Sequence, residues 1–86
     1  MQQLAVDVEK VLPYSVYSKA GCIFCDAAIE LLKEKNIEFK EIKVPGNQEA
    51  IDLFKMNGFK TVPQIFTDRD VYIGGYQDLK KMLVSS

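Results

Sequence analysis

Apolar positions along the chain change their spacing several times, and each change marks the edge of an element. Leu4, Val8, Val11 and Leu12 recur at helical spacing, which predicts a short amphipathic helix ended by Pro13. Tyr14-Ser15-Val16-Tyr17-Ser18 is aromatic and β-branched and reads as a buried strand. Lys19-Ala20-Gly21 leads from it into a helix on which Phe24, Ala28, Leu31 and Leu32 mark one face, at i, i+4, i+7 and i+8. Glu30, Lys33, Glu34 and Lys35 face outward, and Asn36 stops the helix. A second strand follows over 37–44. Its Ile37/Phe39 and Ile42/Val44 pairs alternate on either side of a phase slip at Lys40-Glu41, which predicts either a bulge or a strand shorter than the span.

Pro45-Gly46 breaks that strand and Asn47 is placed to cap a second helix. Ala50, Ile51 and Phe54 form the apolar side of this helix, which Asn57-Gly58 ends. Val62-Pro63-Gln64-Ile65-Phe66-Thr67 and Val71-Tyr72-Ile73 flank the polar turn Asp68-Arg69-Asp70 and predict an antiparallel hairpin closed by Gly74-Gly75. Leu79, Met82 and Leu83 give a last short helix, with Asp78 favourably near its positive end. The order is βαβαββα, with an extra helix in front. A β-α-β opening demands a crossover between parallel strands, and the terminal hairpin adds an antiparallel edge. The expected fold class is α/β, a four-stranded mixed sheet flanked by helices.

Composition narrows the function classes. The 86 residues carry 11 Lys+Arg against 12 Asp+Glu, a net charge of -1, and are 48% hydrophobic and 27% charged. One small globular domain over 1–86 is expected, with 1–12 as an N-terminal extension. No long polar tract and no apolar run of membrane-spanning length occurs, which argues against disorder, a transmembrane helix and a membrane partner. The first ten residues lack a basic leader and an unbroken apolar stretch, so a cytoplasmic location is expected. Balanced charge without a basic block argues against a nucleic-acid binder, whose affinity would rest on neutralising phosphates. The chain has no histidine, which excludes Ser/His/Asp and Cys/His nucleophiles and a His-ligated zinc site.

The two cysteines, Cys22 and Cys25, form a single C-x-x-C. As a structural staple the pair would enclose almost no loop and constrain little unfolded-chain entropy. As a metal site it supplies two of four ligands and would need a second chain or carboxylates. A redox-active dithiol is the reading its address favours: strand end, short loop, first turn of a helix. There Cys22 faces unsatisfied backbone N–H groups and the positive end of the helix dipole, and Lys19 adds a charge nearby. Such surroundings lower a cysteine pKa from about 8.5 into a window of roughly 3.5 to 7.5. Cys25 lies at i+3 on the same helix face, placed to attack a mixed disulfide formed at Cys22.

Tyr17-Ser18-Lys19-Ala20-Gly21-Cys22-Ile23-Phe24-Cys25, then Thr61-Val62-Pro63-Gln64-Ile65-Phe66, then Ile73-Gly74-Gly75-Tyr76-Gln77-Asp78-Leu79, resembles a dithiol glutaredoxin in composition, order and spacing. The likeness covers nearly the whole chain after Pro13. A C-x-x-C alone is shared with zinc ribbons and thioredoxins; its combination with T-V-P and G-G-x-x-D-L at these separations is specific. The resemblance implies the thioredoxin fold, in agreement with the order above, and a glutathione-dependent thiol-disulfide oxidoreductase acting on protein disulfides and glutathione mixed disulfides. Glutathione is then a co-substrate, no tightly bound cofactor or metal is implied, and the simplest form is a monomer.

By the same resemblance Cys22 is the nucleophile and Cys25 the resolving thiol. Pro63 matches a cis-proline; read from the chain alone, it sits at a strand edge or end and fits either isomer. Val62, following Thr61, would offer backbone hydrogen bonds to the cysteine part of glutathione. Lys19 and Lys60 match residues that meet the glycine carboxylate, and equally suit solvated lysines. Gln77 and Asp78 match positions holding the γ-glutamyl end, although Asp78 also suits a plain helix-start carboxylate. Gly74-Gly75 would let the ligand approach closely, or simply turn the chain. Tyr17, Phe24 and Tyr76 suit either packing or a docking rim. Two departures stand out: Ile23-Phe24 lies where many relatives have Pro-Tyr, and the second-helix Gln or Arg has no clean match, with Asn47, Gln48 or Lys55 as substitutes. The alternatives are a redoxin served by thioredoxin reductase, with ribonucleotide reductase as client, and a carrier of a glutathione-bridged [2Fe-2S] cluster.

Overall fold

Four strands and three helices alternate along residues 13–84, the part of the chain that the computed structural model describes. The helix expected between Leu4 and Leu12 lies outside them. In chain order the elements are β1 (Tyr14–Ser18), α1 (Ile23–Glu34), β2 (Phe39–Lys43), α2 (Gln48–Asn57), β3 (Gln64–Phe66), β4 (Tyr72–Gly74) and α3 (Tyr76–Val84). The sheet runs β2-β1-β3-β4, with β1 parallel to β2 and the other pairs antiparallel.

Side chains alternate across β1, so its two faces meet different layers. Val16 points to one side and forms the buried core with Ile65, with Ala28 and Leu32 of α1, and with Leu79 of α3. Tyr17 points to the other, where its ring lies 5.9 Å from Phe54 of α2 and 5.9 Å from Phe66 of β3. Both faces of the strand are covered, and its two serines, Ser15 and Ser18, are buried along with Val16. β2 resolves the phase slip the same way. Its pairing with β1 runs without a bulge from Tyr14↔Phe39 to Ser18↔Lys43. Phe39 packs on the main core while Ile42 sits on the α2 side with Tyr17, Ala50 and Leu53. The strand is accordingly shorter than the 37–44 span.

Cap chemistry sets the helix ends. The Asn47 side chain accepts from Ala50 N at 3.0 Å and starts α2. Gly58 ends it in the left-handed region at φ 69°, where Phe59 N donates to Phe54 O and the two rings meet at 5.3 Å. Asn36, at φ 58°, ends α1 with the same pair of bonds: Ile37 N to Leu32 O and Asn36 N to Lys33 O.

One expectation for α1 needs correction. Its buried stripe is Cys25, Ala28 and Leu32, and Phe24 is 56% exposed. Phe24 lies on the flank of the stripe at the helix start, where its ring meets Tyr76 at 5.9 Å instead of the core. The first hairpin strand is also shorter than expected, since β3 begins after Pro63, which has no N–H to give to a ladder, while β4 keeps the expected length one residue further along. Thr67 organises the turn between them, its hydroxyl accepting from Arg69 N at 3.1 Å and Val71 N at 3.2 Å. No helix among the described residues is long and apolar enough to cross a membrane.

Candidate active site

Cys22 stands at the junction of β1's exit loop and α1, as the N-cap residue of the helix. Its Sγ accepts from Cys25 N at 3.1 Å, the role that a serine or aspartate oxygen plays at other helix starts. Gly21, at φ 75°, supplies the left-handed turn that swings the chain into that position. The two cysteine sulfurs are bonded to each other, with the Cα atoms 5.2 Å apart. Their environments differ. Cys25 is 1% exposed and belongs to the buried stripe of α1, whereas Cys22 is half-buried at the surface. Attack at a disulfide needs access along the bond, and of the two residues Cys22 is the more exposed.

A groove of about 550 Å³ lies next to Val62, whose carbonyl neighbours the Cys22 sulfur. One wall is the segment Thr61-Val62-Pro63, whose Val62-Pro63 peptide is cis and whose Val62 carbonyl oxygen lies 3.8 Å from Cys22 Sγ. The facing wall is Gly75-Tyr76-Gln77-Asp78, the start of α3, with Phe24 at the end nearest the cysteines. The first-turn N–H groups of α3 have no partner within the helix and border this wall. Asp78 Oδ2 accepts from Gly75 N at 3.3 Å, so the carboxylate caps the helix that it helps to start. Gly74 is required here: its φ is +126°, and a side chain on it would strike the Asp78 carboxylate. Gly75 is less constrained, an added Cβ meeting Pro63 O at 3.5 Å.

Eight of the residues singled out from the sequence, Phe24, Thr61, Val62, Pro63, Gly75, Tyr76, Gln77 and Asp78, line this one groove. Lys19 and Lys60 do not; both are exposed, on the loops entering the helix and the Thr61 segment respectively. Phe24 and Tyr76 form a half-open aromatic pair at the groove's edge. Tyr17 sits in the opposite layer, against α2. Its phenol is held above its usual pKa of 10.0 by burial first, then by the charges of Asp70 and Glu49.

Two residues of the groove wall, Gln64 and Tyr72, escape a reading of the sequence. Gln64 is buried, its Nε2 donating to Thr61 O at 3.0 Å and its Oε1 accepting from Tyr72 Oη at 2.6 Å. A polar residue within the apolar run 62–66, with a tyrosine across a short hairpin, is the signal that could have found them.

The chain is similar to known proteins. The family model named Glutaredoxin matches residues 15–72. Glutaredoxin 3 of Escherichia coli K12 is 40% identical over 65 residues, spanning 74% of this chain and 77% of its own. The solution structure of a glutaredoxin from Brucella melitensis superimposes with a TM-score of 0.72 at 31% identity, covering 88% of this chain and 83% of that one. The crystal structure of a buckwheat glutaredoxin-glutathione complex shares the fold with a TM-score of 0.70 at 23% identity, over 96% and 79% of the two chains.

Proposed function

The chain belongs to the glutaredoxin family as a dithiol thiol-disulfide oxidoreductase, and on that premise we propose that glutathione is its co-substrate and that Cys22 and Cys25 are its catalytic pair. The carrying observation is the unequal burial of the two cysteines, with the more exposed one at a helix start near the groove. In the reduced protein the Cys25 N–H and the α1 dipole both favour thiolate over thiol at Cys22.

The Cys22 thiolate attacks the glutathione sulfur of a mixed disulfide. A Cys22-glutathione bond forms, and the client sulfur leaves as a thiolate that takes its proton from water. A second glutathione thiolate then attacks the bound glutathione sulfur, releasing glutathione disulfide and restoring the Cys22 thiolate. With a client disulfide, Cys22 first bonds one client sulfur and expels the other. The Cys25 thiolate next attacks Cys22 Sγ, the client leaves fully reduced, and the Cys22-Cys25 bond carries the oxidation until two glutathiones remove it.

In this reading glutathione lies along the groove. Val62 meets its cysteine backbone in strand-like fashion, with Thr61, Pro63 and Phe24 around it. Lys19 and Lys60 reach over the rim to the glycine carboxylate. The N–H groups at Gln77 and the Asp78 carboxylate take the γ-glutamyl carboxylate and ammonium, and Gly75 leaves space for them. The buckwheat relative's complex with glutathione supports the same co-substrate. The whole chain then works as one monomeric domain in the cytosol, on clients with accessible disulfides, a class that includes ribonucleotide reductase. The likenesses favour neither the thioredoxin-reductase-dependent redoxin nor the cluster carrier.

The test is the rate of reduction of a glutathionylated peptide, coupled to glutathione reductase and NADPH. Cys22→Ser is expected to abolish turnover and Cys25→Ser to retain it. Turnover surviving in Cys22→Ser would overturn the assignment.

A further inference from the structure

We propose that Gln64, held by Tyr72, is a positioning residue that aims the Val62 N–H at the substrate. The Thr61 carbonyl only accepts, so Gln64 must turn Nε2 toward it, and Oε1 is thereby left facing Tyr72, whose hydroxyl donates. The amide has one orientation, fixed at both ends. Tyr72 is itself fixed: its ring stacks on Phe59 at 5.1 Å and lies 5.4 Å from Phe66. Phe59 and Phe66 continue through Phe54 and Tyr17 into the α2 layer. The far side of the sheet therefore buttresses the groove wall.

What this chain of contacts holds is a peptide plane. Across the trans Thr61-Val62 bond the carbonyl and the N–H point in opposite directions. Pinning the Thr61 carbonyl to Gln64 turns the Val62 N–H the other way. The residue before a proline is pushed toward extended backbone, in which N–H and C=O share a side. The Val62 carbonyl lies 3.8 Å from Cys22 Sγ, so the Val62 N–H faces the cysteine side of the groove. Without Gln64 the plane could rotate, and the donor would have to be ordered each time a substrate bound. The inference rests on the glutathione reading, because it is the peptide backbone of a glutathionyl disulfide that this N–H would meet.

Gln64→Met keeps the side-chain length and removes both hydrogen bonds, and Tyr72→Phe keeps the ring and removes the anchor. KM and kcat would be measured with a glutathionylated peptide. The second-order rate of Cys22 with dithiodipyridine, a disulfide without a peptide backbone, would be measured alongside. Loss of one net hydrogen bond corresponds to a rise in KM of about threefold to tenfold for Gln64→Met, with kcat and the dithiodipyridine rate holding. Tyr72→Phe is expected to raise KM less, and the double variant to match Gln64→Met alone, since the two act in series. An unchanged KM in Gln64→Met, equal losses with both disulfides, or additive effects in the double variant would overturn the role of Gln64 while leaving the glutathione reading intact. A wild-type protein that reacts no better with the glutathionyl disulfide than its thiol reactivity toward dithiodipyridine predicts would overturn both.

Discussion

Substituting Gly74 by alanine probes how the last strand, the last helix and the groove are joined. Gly74 sits at φ +126°, a backbone region that residues with a side chain rarely enter, and holding alanine there costs about 1–3 kcal/mol. A second cost comes from contact. The new Cβ would stand 2.8 Å from Asp78 Cγ and closer still to Oδ2, so the carboxylate must swing away and release Gly75 N. Losing a helix-start cap of this kind costs about 1 kcal/mol. Together they predict about 2–4 kcal/mol for Gly74→Ala, read as a shift in the urea midpoint at unchanged slope. The two parts separate in a double-mutant cycle. In an Asp78→Ala background the collision with the carboxylate is gone, leaving the backbone strain and the 3.0 Å contact with the Cβ of residue 78, so the same substitution should cost less, by about 1 kcal/mol. A Gly74→Ala protein as stable as the wild type, or a cost unchanged by Asp78→Ala, would refute this account of why the glycine is there.

Two further outcomes follow from the local chemistry. Asn47→Ala removes the side-chain acceptor for Ala50 N and should cost about 1 kcal/mol by the same denaturation measurement, with Asn47→Asp close to wild type. Tyr17 has a folded pKa above its usual 10.0, so its contribution is fully present below that pH and is lost as pH rises through the folded value, where the unfolded chain ionises first. A Tyr17→Phe variant should therefore lose less stability than the wild type between pH about 9 and about 11; identical pH profiles would contradict the raised value.

The parts of the fold legible in the sequence were those fixed by local chemistry. β1 emerged with its observed limits because both its faces are buried, leaving no polar alternation to confuse the reading. α2 emerged because Asn47 and Gly58 are short-range cap signals. The phase slip in β2 was visible as a disturbance, but its meaning, two faces packed against two different layers, needed the helices in place. Phe24 reads as part of the apolar stripe of α1, yet it is exposed, because helical periodicity marks a stripe without saying where along the helix the covering layer stops. The Gln64-Tyr72 contact was invisible for a related reason: it depends on cross-strand register in a hairpin with an irregularity between Ile65 and Phe66. Strand order belongs to the same class of non-local facts, and nothing in the periodicity alone makes β1 central.

A disulfide is a symmetrical bond, cleavable in principle from either end, and the burial of Cys25 gives this one a direction. Under the proposed roles a thiol that opens it joins Cys22 and expels Cys25, and the covalent complexes share one orientation. The expelled sulfur does not diffuse away; it stays anchored one helical turn from the new bond, at an effective concentration that no free thiol in solution matches. Under those roles, mixed disulfides with other proteins are short-lived. The same asymmetry makes Cys25→Ser a capture reagent, on which partners should accumulate at Cys22 in the absence of glutathione and be identified by what they bring with them.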